Sequence, residues 1–127
     1  MLSKSDALRA FARMMNTFDA SHIEDLLADD FHYASQNVFH EITSKQEYME
    51  YIRPKLETVR KSGGPVWAEM AEMTYAFPGP CLVLAQGEHN NLVATVFAKV
   101  NGNRITRIDM CIVPPPSAAI RSGEFPK

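Results

Sequence analysis

Near residue 64 the spacing of apolar residues along the chain changes, and this change of period constrains the fold more than any other feature. On its N-terminal side, apolar residues recur every three or four positions, which is typical of helices that bury one face. The run Gly63-Gly64-Pro65 stops the last of these helices, and strand-like runs separated by turn residues follow it. Helices first and antiparallel strands after them predict an α+β domain, with one strongly curved, mostly antiparallel sheet and the helices on one face of it.

Three helices are predicted in the first half of the chain. The first covers residues 4–18. The second is brief, because Ser21 and Glu24 have the spacing of a capping box and an acidic pair at residues 29–30 closes the helix soon after. A strand is then expected to open at Phe31.

The third helix begins at Ser44, which leads a second capping box, and it runs to about Ser62. Pro54 lies inside this helix and has no backbone N–H to donate. We therefore expect a kink or a break at that position.

Five strands are expected, and four of them follow the change of period. Their expected ranges are residues 31–38, 66–76, 81–88, 92–100 and 105–113. The dipeptide Asn101-Gly102 predicts a tight hairpin between the last two strands. Pro114-Pro115-Pro116 ends the sheet, because proline cannot donate to a ladder. We expect one domain over residues 1–113 and a loose, proline-rich tail over residues 114–127 that could dock on a partner.

Composition argues against several classes of function. The 13 basic and 15 acidic side chains give a net charge of −2 without a basic stripe, so no nucleic-acid partner is expected. The longest apolar run, residues 81–85, is too short to span a membrane, and the polar N-terminus has no signal-peptide pattern. Cys81 and Cys111 lie far apart and the histidines lack ligand spacing, so we expect reduced thiols, no metal site and a cytoplasmic protein.

Polar side chains share one face of the first strand. Alternation places Tyr33, Ser35 and Asn37 on one side and His32 on the other. One interpretation is a polar wall that orients a small ligand, because an apolar pocket usually carries a few polar groups. The other interpretation is a core tyrosine with its hydroxyl satisfied, followed by a bend at Ser35 and Asn37.

The last strand also has two distinct faces. Its apolar residues, among them Ile108 and Met110, should face the helices. The opposite face should combine charged and apolar residues of two strands, namely Arg107, Asp109, Cys111, Thr95, Phe97 and Lys99. Such a mixture is more typical of an interface than of a solvated surface. We therefore interpret Asp109 first as an interface or ion-pair residue, with Arg107 or Arg104 as its partner.

Three phrases carry a family resemblance over residues 4–113. They are NTFDASHIEDLLADDFHY, the S-x-x-E helix start that follows it, and NGNRITRIDM. With this order of elements, the chain resembles the nuclear transport factor two-like superfamily, in particular its SnoaL-like and ketosteroid-isomerase-like branch. The resemblance implies a cone-shaped α+β barrel with an interior pocket, and a homodimer formed through the outer face of the sheet. It does not imply one reaction, because this scaffold carries isomerases, cyclases, dehydratases and proteins that only bind.

The resemblance places the isomerase groups at three positions, and none of those groups is present. The oxyanion-hole tyrosine falls at Phe11, the general-base aspartate at Ser35 and the second acid at Val96. A phenylalanine and a valine cannot donate a hydrogen bond to a developing enolate, and an isolated serine is not a base. Under this alignment, steroid-isomerase chemistry is excluded.

The leading hypothesis is a protein that binds a small, largely apolar molecule in the pocket, with no complete catalytic set and no cofactor. The expected lining is Phe11, Met15, Tyr33, Ser35, Ile52, Leu56, Val96 and Met110. Trp67, the single tryptophan, is expected either in this pocket or in the dimer interface.

Two alternatives stay open. An enzyme of the SnoaL-like cyclase, dehydratase or isomerase type would use Tyr33, His32 and Asp109 as acid–base groups, which must then converge on one cavity. A non-catalytic interaction module would instead hold a partner with the outer sheet face and the tail.

Overall fold

The computed structural model describes residues 1–36 and 40–127, and it consists of helices packed on one face of a six-stranded mixed sheet. Asn37 and Val38, which the sequence assigned to the first strand, lie outside the described residues. The helices are α1 (Lys4–Thr17), α2 (Ser21–Glu24) and α3 (Lys45–Ser62). The strands are β1 (Leu27–Ser35), β2 (Val66–Met73), β3 (Gly79–Gln86), β4 (Leu92–Asn101), β5 (Arg104–Cys111) and β6 (Ala119–Arg121).

The strand order is β1-β5-β4-β3-β2-β6, in which β1 runs parallel to β5 and the other neighbours are antiparallel. The hairpin between β4 and β5 forms as expected, one residue later than Asn101-Gly102, with Gly102 and Asn103 as its loop. Gly102 has a φ of 60°, which suits glycine at the first position of such a loop.

The expected α+β class is confirmed, but the strongly curved cone is not. The sheet does not curl strongly, and only α1 and α3 are longer than the four residues of α2. Buried alanines in α1 explain much of the difference between the expected cone and the observed sheet. Ala7, Ala10 and Ala12 are buried in α1, which packs across β2, β3 and β4. Because alanine side chains are short, α1 lies close to the sheet and leaves little interior space.

The capping box expected at Ser21 is not formed. Ser21 is already inside α2, and its backbone N–H donates to Asp19 Oδ1 at 3.0 Å. Ser44 does cap α3, because its Oγ accepts from the Glu47 N–H at 3.1 Å. The Glu47 carboxylate accepts from the Thr43 N–H instead of closing the box on Ser44. A serine can be the first helical residue as well as the cap, so the spacing alone does not decide between them.

The acidic pair at residues 29–30 belongs to β1 and not to the end of a helix. The chain joins the sheet earlier than expected, because the Leu26 carbonyl accepts from the Ile105 N–H at 2.7 Å and Leu27 is buried. Of the kink or break expected at Pro54, the break does not occur. α3 is continuous through Pro54, which lies on its exposed side.

The sheet carries a buried apolar cluster on each face. The inner, larger cluster faces the helices and includes Leu8, Phe11, Phe31, Tyr48 and Ile108. The outer cluster consists of four buried residues of β2 and β3, namely Ala71, Met73, Cys81 and Val83. The predicted alternation of β5 is confirmed, since Ile108 and Met110 belong to the inner side while Cys111 pairs with Thr95 on the outer side.

The tail that we expected to be loose is an ordered part of the domain. We call residues 114–126 the C-terminal strap, because they cross the outer face from the end of β5 to the far edge of the sheet. The strap begins where the Thr95 Oγ1 donates to the Pro114 carbonyl at 2.7 Å. Ala118 and Ala119 then pack on the outer cluster, and β6 pairs with β2. The strap ends beside α1, where the Asn16 amide donates to the Pro126 carbonyl.

Among the described residues, no helix is both long and apolar enough to cross a membrane.

Candidate functional site

A small cavity lies between the helices and the sheet, at the position where the sequence predicted a pocket. Its volume is about 30 Å³, which is room for one or two water molecules. The cavity lies among α1, α3, β1, β5 and the start of β2, and its lining is largely apolar. The lining residues are Phe11, Met15, Phe18, Tyr33, Tyr48, Ile52, Lys55, Leu56, Val59, Val66 and Met110.

Six of the nine residues expected at the pocket line this cavity, and three do not. Those that line it are Phe11, Met15, Tyr33, Ile52, Leu56 and Met110. Ser35 lies nearby on the same strand and acts on Tyr33 through a hydrogen bond. Val96 is fully buried, paired across the sheet with Met110 and Leu82, and does not reach the cavity.

Trp67 lies on the opposite face of the sheet. Its ring centre is 4.1 Å from that of His89 and 6.4 Å from that of Phe125 in the strap. The alternation of β2 explains this position, because Ala68 and Met70 face the helices and Trp67 therefore points the other way. Trp67 therefore does not line the inner cavity, and the alternative expectation, a position in the dimer interface, stays a prediction.

Three tyrosines meet beside the cavity, and two of them were not expected there. The ring of Tyr33 lies 5.0 Å from that of Tyr48 and 5.8 Å from that of Tyr51. Lys55, one turn along α3, donates to the Tyr51 hydroxyl at 2.8 Å. From the sequence, Tyr48 belonged to the apolar stripe of α3, and only the packing of α3 on β1 shows that its ring reaches Tyr33.

Burial disfavours ionisation of the two inner tyrosines. Loss of hydration raises the pKa of Tyr33 far above its usual value, with a smaller contribution from Tyr51 and an opposing hydrogen bond from Ser35. Burial likewise raises the pKa of Tyr48, which is fully enclosed. The Tyr33 hydroxyl lies 3.8 Å from Met110 Sδ, whereas the Tyr48 hydroxyl has no hydrogen-bond partner in residues 1–36 and 40–127. Both side chains therefore present neutral O–H groups.

The proposed acid–base groups do not converge on this cavity. His32 and Asp109 lie on the outer face, whereas Tyr33 lies on the inner face, as the alternation of β1 and β5 predicts. His32 Nδ1 is 2.7 Å from Glu41 Oε2, and Arg107 binds both Glu41 Oε1 at 3.0 Å and Asp109 Oδ2 at 2.9 Å. The ion pair expected for Asp109 is thus present, with Arg107 as the partner.

A larger and more open cavity, of about 600 Å³, lies on the outer face beside this charged network. Its apolar side is formed by Phe77 and Phe97, whose rings meet edge to face at 5.6 Å. Its charged side contains Lys99, Arg107 and Asp109. Within residues 1–36 and 40–127, no three His, Cys, Asp or Glu side chains are grouped as a metal ion would require.

Comparison with known proteins identifies the fold and leaves the activity open. No family model matches the chain, and no curated protein does. A protein of unknown function from Cytophaga hutchinsonii, described as NTF2-like, is 14% identical, with a TM-score of 0.61 over 92% of this chain and 96% of that one. A candidate polyketide cyclase from Xanthomonas campestris is 12% identical, with a TM-score of 0.60 over 91% and 93% of the two chains.

A candidate ketosteroid isomerase from Kribbella flavida is 15% identical to the chain, with a TM-score of 0.55 over 84% of this chain and 77% of that one. At such low identities the similarity establishes a shared fold and no shared chemistry.

Proposed function

Because the chain has the NTF2-like fold, we propose that it binds a small, largely apolar organic molecule in the inner cavity and carries no complete isomerase set. The observation that carries this proposal is the separation of the polar groups between the two faces. His32, Glu41 and Asp109, which could accept a proton, lie on the outer face. The inner cavity is lined by apolar side chains and protonated tyrosines, which are suited to holding a molecule and not to removing its proton.

A ligand larger than two waters needs the mouth of the cavity to widen. Met15 and Lys55 line that mouth and are partly exposed, so their flexible side chains can swing outward without disturbing the sheet. Phe11 and Leu56 are buried behind them and form the apolar floor. The proposed ligand is therefore compact, of the size of a single substituted ring.

The test is a titration with toluene, followed through the methyl NMR signals of the methionines. We expect the signals of Met15 and Met110 to shift, because both side chains line the inner cavity. Met73, which lies in the outer cluster, serves as the internal control and should stay unchanged. Shifts confined to Met73, or no shift at any toluene concentration, would rule the proposed binding site out.

We also propose that two copies of the chain associate through the part of the outer face that the strap leaves uncovered. Phe77 is 62% exposed there, and Val113 is 66% exposed. Exposed apolar side chains next to charges are typical of subunit contacts. The charged network around Arg107 lies at the same face and can set the orientation of two copies.

Replacing Phe77 by aspartate should convert a dimer into a monomer, as measured by light scattering during size-exclusion chromatography. The charge would have to be buried without a partner in the proposed interface. Thr58→Asp is the matched control, because Thr58 is exposed on α3, on the other side of the molecule. A wild-type chain that is monomeric at every concentration contradicts the proposed association.

A further inference from the structure

We propose that the inner cavity selects a small neutral carbonyl compound, whose oxygen accepts a hydrogen bond from the Tyr48 hydroxyl. This inference rests on the binding function proposed above and adds the chemical class of the ligand. It concerns a donor on α3, a position at which the family resemblance assigns no functional group.

The first argument is the state of the Tyr48 hydroxyl. Tyr48 lines the cavity and is fully buried, yet its hydroxyl has no hydrogen-bond partner among the described residues. Buried polar groups are nearly always paired, so an unpaired one indicates a missing partner. The neighbouring tyrosines do not supply it, since the Tyr51 hydroxyl accepts from Lys55 and the Tyr33 hydroxyl lies against Met110 Sδ.

The second argument is the electrostatic character of the cavity. The same loss of hydration that raises the pKa of Tyr33 and Tyr48 also disfavours a bound anion. Among the described residues of the lining, Lys55 is the one cationic group, and it is exposed at the mouth and already bonded to Tyr51. A carboxylate held next to Tyr48 would therefore lose its hydration without gaining a partner of opposite charge.

The third argument is the balance of donors and acceptors. Tyr48 offers an O–H that needs an acceptor, and the remainder of the floor, Phe11, Ile52 and Leu56, is apolar. A ketone or ester oxygen accepts a hydrogen bond and brings no donor of its own.

The experiment compares three ligands of one ring size: cyclohexanone, methylenecyclohexane and cyclohexanecarboxylate. Binding is followed through the Met15 and Met110 methyl signals, and the carbonyl ¹³C shift of cyclohexanone reports the hydrogen bond directly. We expect cyclohexanone to bind about tenfold more tightly than methylenecyclohexane, which corresponds to one net hydrogen bond. Cyclohexanecarboxylate at pH 7 should not displace it.

Tyr48→Phe removes only the hydroxyl and should abolish both the tenfold preference and the carbonyl shift, while methylenecyclohexane still binds. Tyr75→Phe is the matched control, because Tyr75 is 48% exposed between β2 and β3, outside the cavity lining, and its loss should leave the preference intact. If the wild-type chain binds cyclohexanone and methylenecyclohexane with equal affinity, as expected when a water alone satisfies Tyr48, the inference is overturned and the binding function stands. If neither neutral ligand perturbs Met15 or Met110, the binding function itself fails.

Discussion

Replacing Arg121 by alanine is expected to lower the free energy of unfolding by about 3 kcal/mol, because it leaves a buried carboxylate without its cation. Glu69 is only 3% exposed, and its Oε1 accepts from Arg121 Nε at 2.7 Å. Without the guanidinium, the Gly123 N–H is the remaining donor to the Glu69 side chain in the part of the chain that the structure describes. Arg121 also holds the β3–β4 loop through Asn90 and the His89 carbonyl. Chemical denaturation of both proteins measures the loss.

The control for this experiment is Arg9→Ala, which breaks an ion pair of similar length in a different environment. Arg9 Nε lies 2.8 Å from Glu124 Oε2, but both side chains are well exposed. Because solvent screens such pairs, the loss should be below about 1 kcal/mol. Glu69→Gln added to the Arg121→Ala variant should recover part of the stability. If the Arg9 and Arg121 variants lose equal free energy of unfolding, the burial of Glu69 does not determine how much its ion pair stabilises the fold.

Removal of residues 114–127 is expected to cost about 4 kcal/mol or more, which is a large part of the stability of a domain of this size. The deletion uncovers Met73, Cys81 and Val83 in the outer cluster. It also removes the Pro114 carbonyl, the nearer of two acceptors of the buried Thr95 hydroxyl, and leaves the Cys111 carbonyl. The Arg121 partner of Glu69 is lost as well. Denaturation monitored by circular dichroism should show an earlier and less cooperative transition.

Thiol labelling gives an independent measurement of the same deletion. Burial raises the pKa of Cys81 to about 11, so in the intact chain the thiol should be inert to an aromatic disulfide at pH 8. After the deletion it should react readily. Deletion of the exposed Lys127 alone is the control and should change neither property. A truncated chain with an inert Cys81 would contradict the covering role of the strap.

Alternation along the strands was the most reliable guide from the sequence to the site. It separated His32 from Tyr33 correctly, and it placed Cys111 beside Thr95 across β4 and β5. The reason is geometric, since consecutive side chains of a strand must point to opposite faces. In β2 the same rule separates Trp67 from Ala68 and Met70, but only the structure shows that Ala68 and Met70 face the helices.

Features that depend on packing between distant segments were missed. Nothing local distinguishes the acidic pair at residues 29–30 as strand residues, because their assignment follows from Leu27 entering the sheet beside Ile105. The β6 strand has only three residues, and its pairing with β2 depends on a surface that forms elsewhere. The proximity of Tyr48 to Tyr33 likewise exists only once α3 is placed on β1.

The C-terminal strap also constrains the order in which parts of the chain can fold. Arg9 and Asn16, near the start of the sequence, bind Glu124 and Pro126, which are separated from them by 115 and 110 residues. During synthesis, α1 therefore cannot acquire these contacts until residues 124–126 have left the ribosome. Contacts of such long range slow folding. Until the strap has emerged, the apolar outer cluster stays uncovered and would need protection from aggregation.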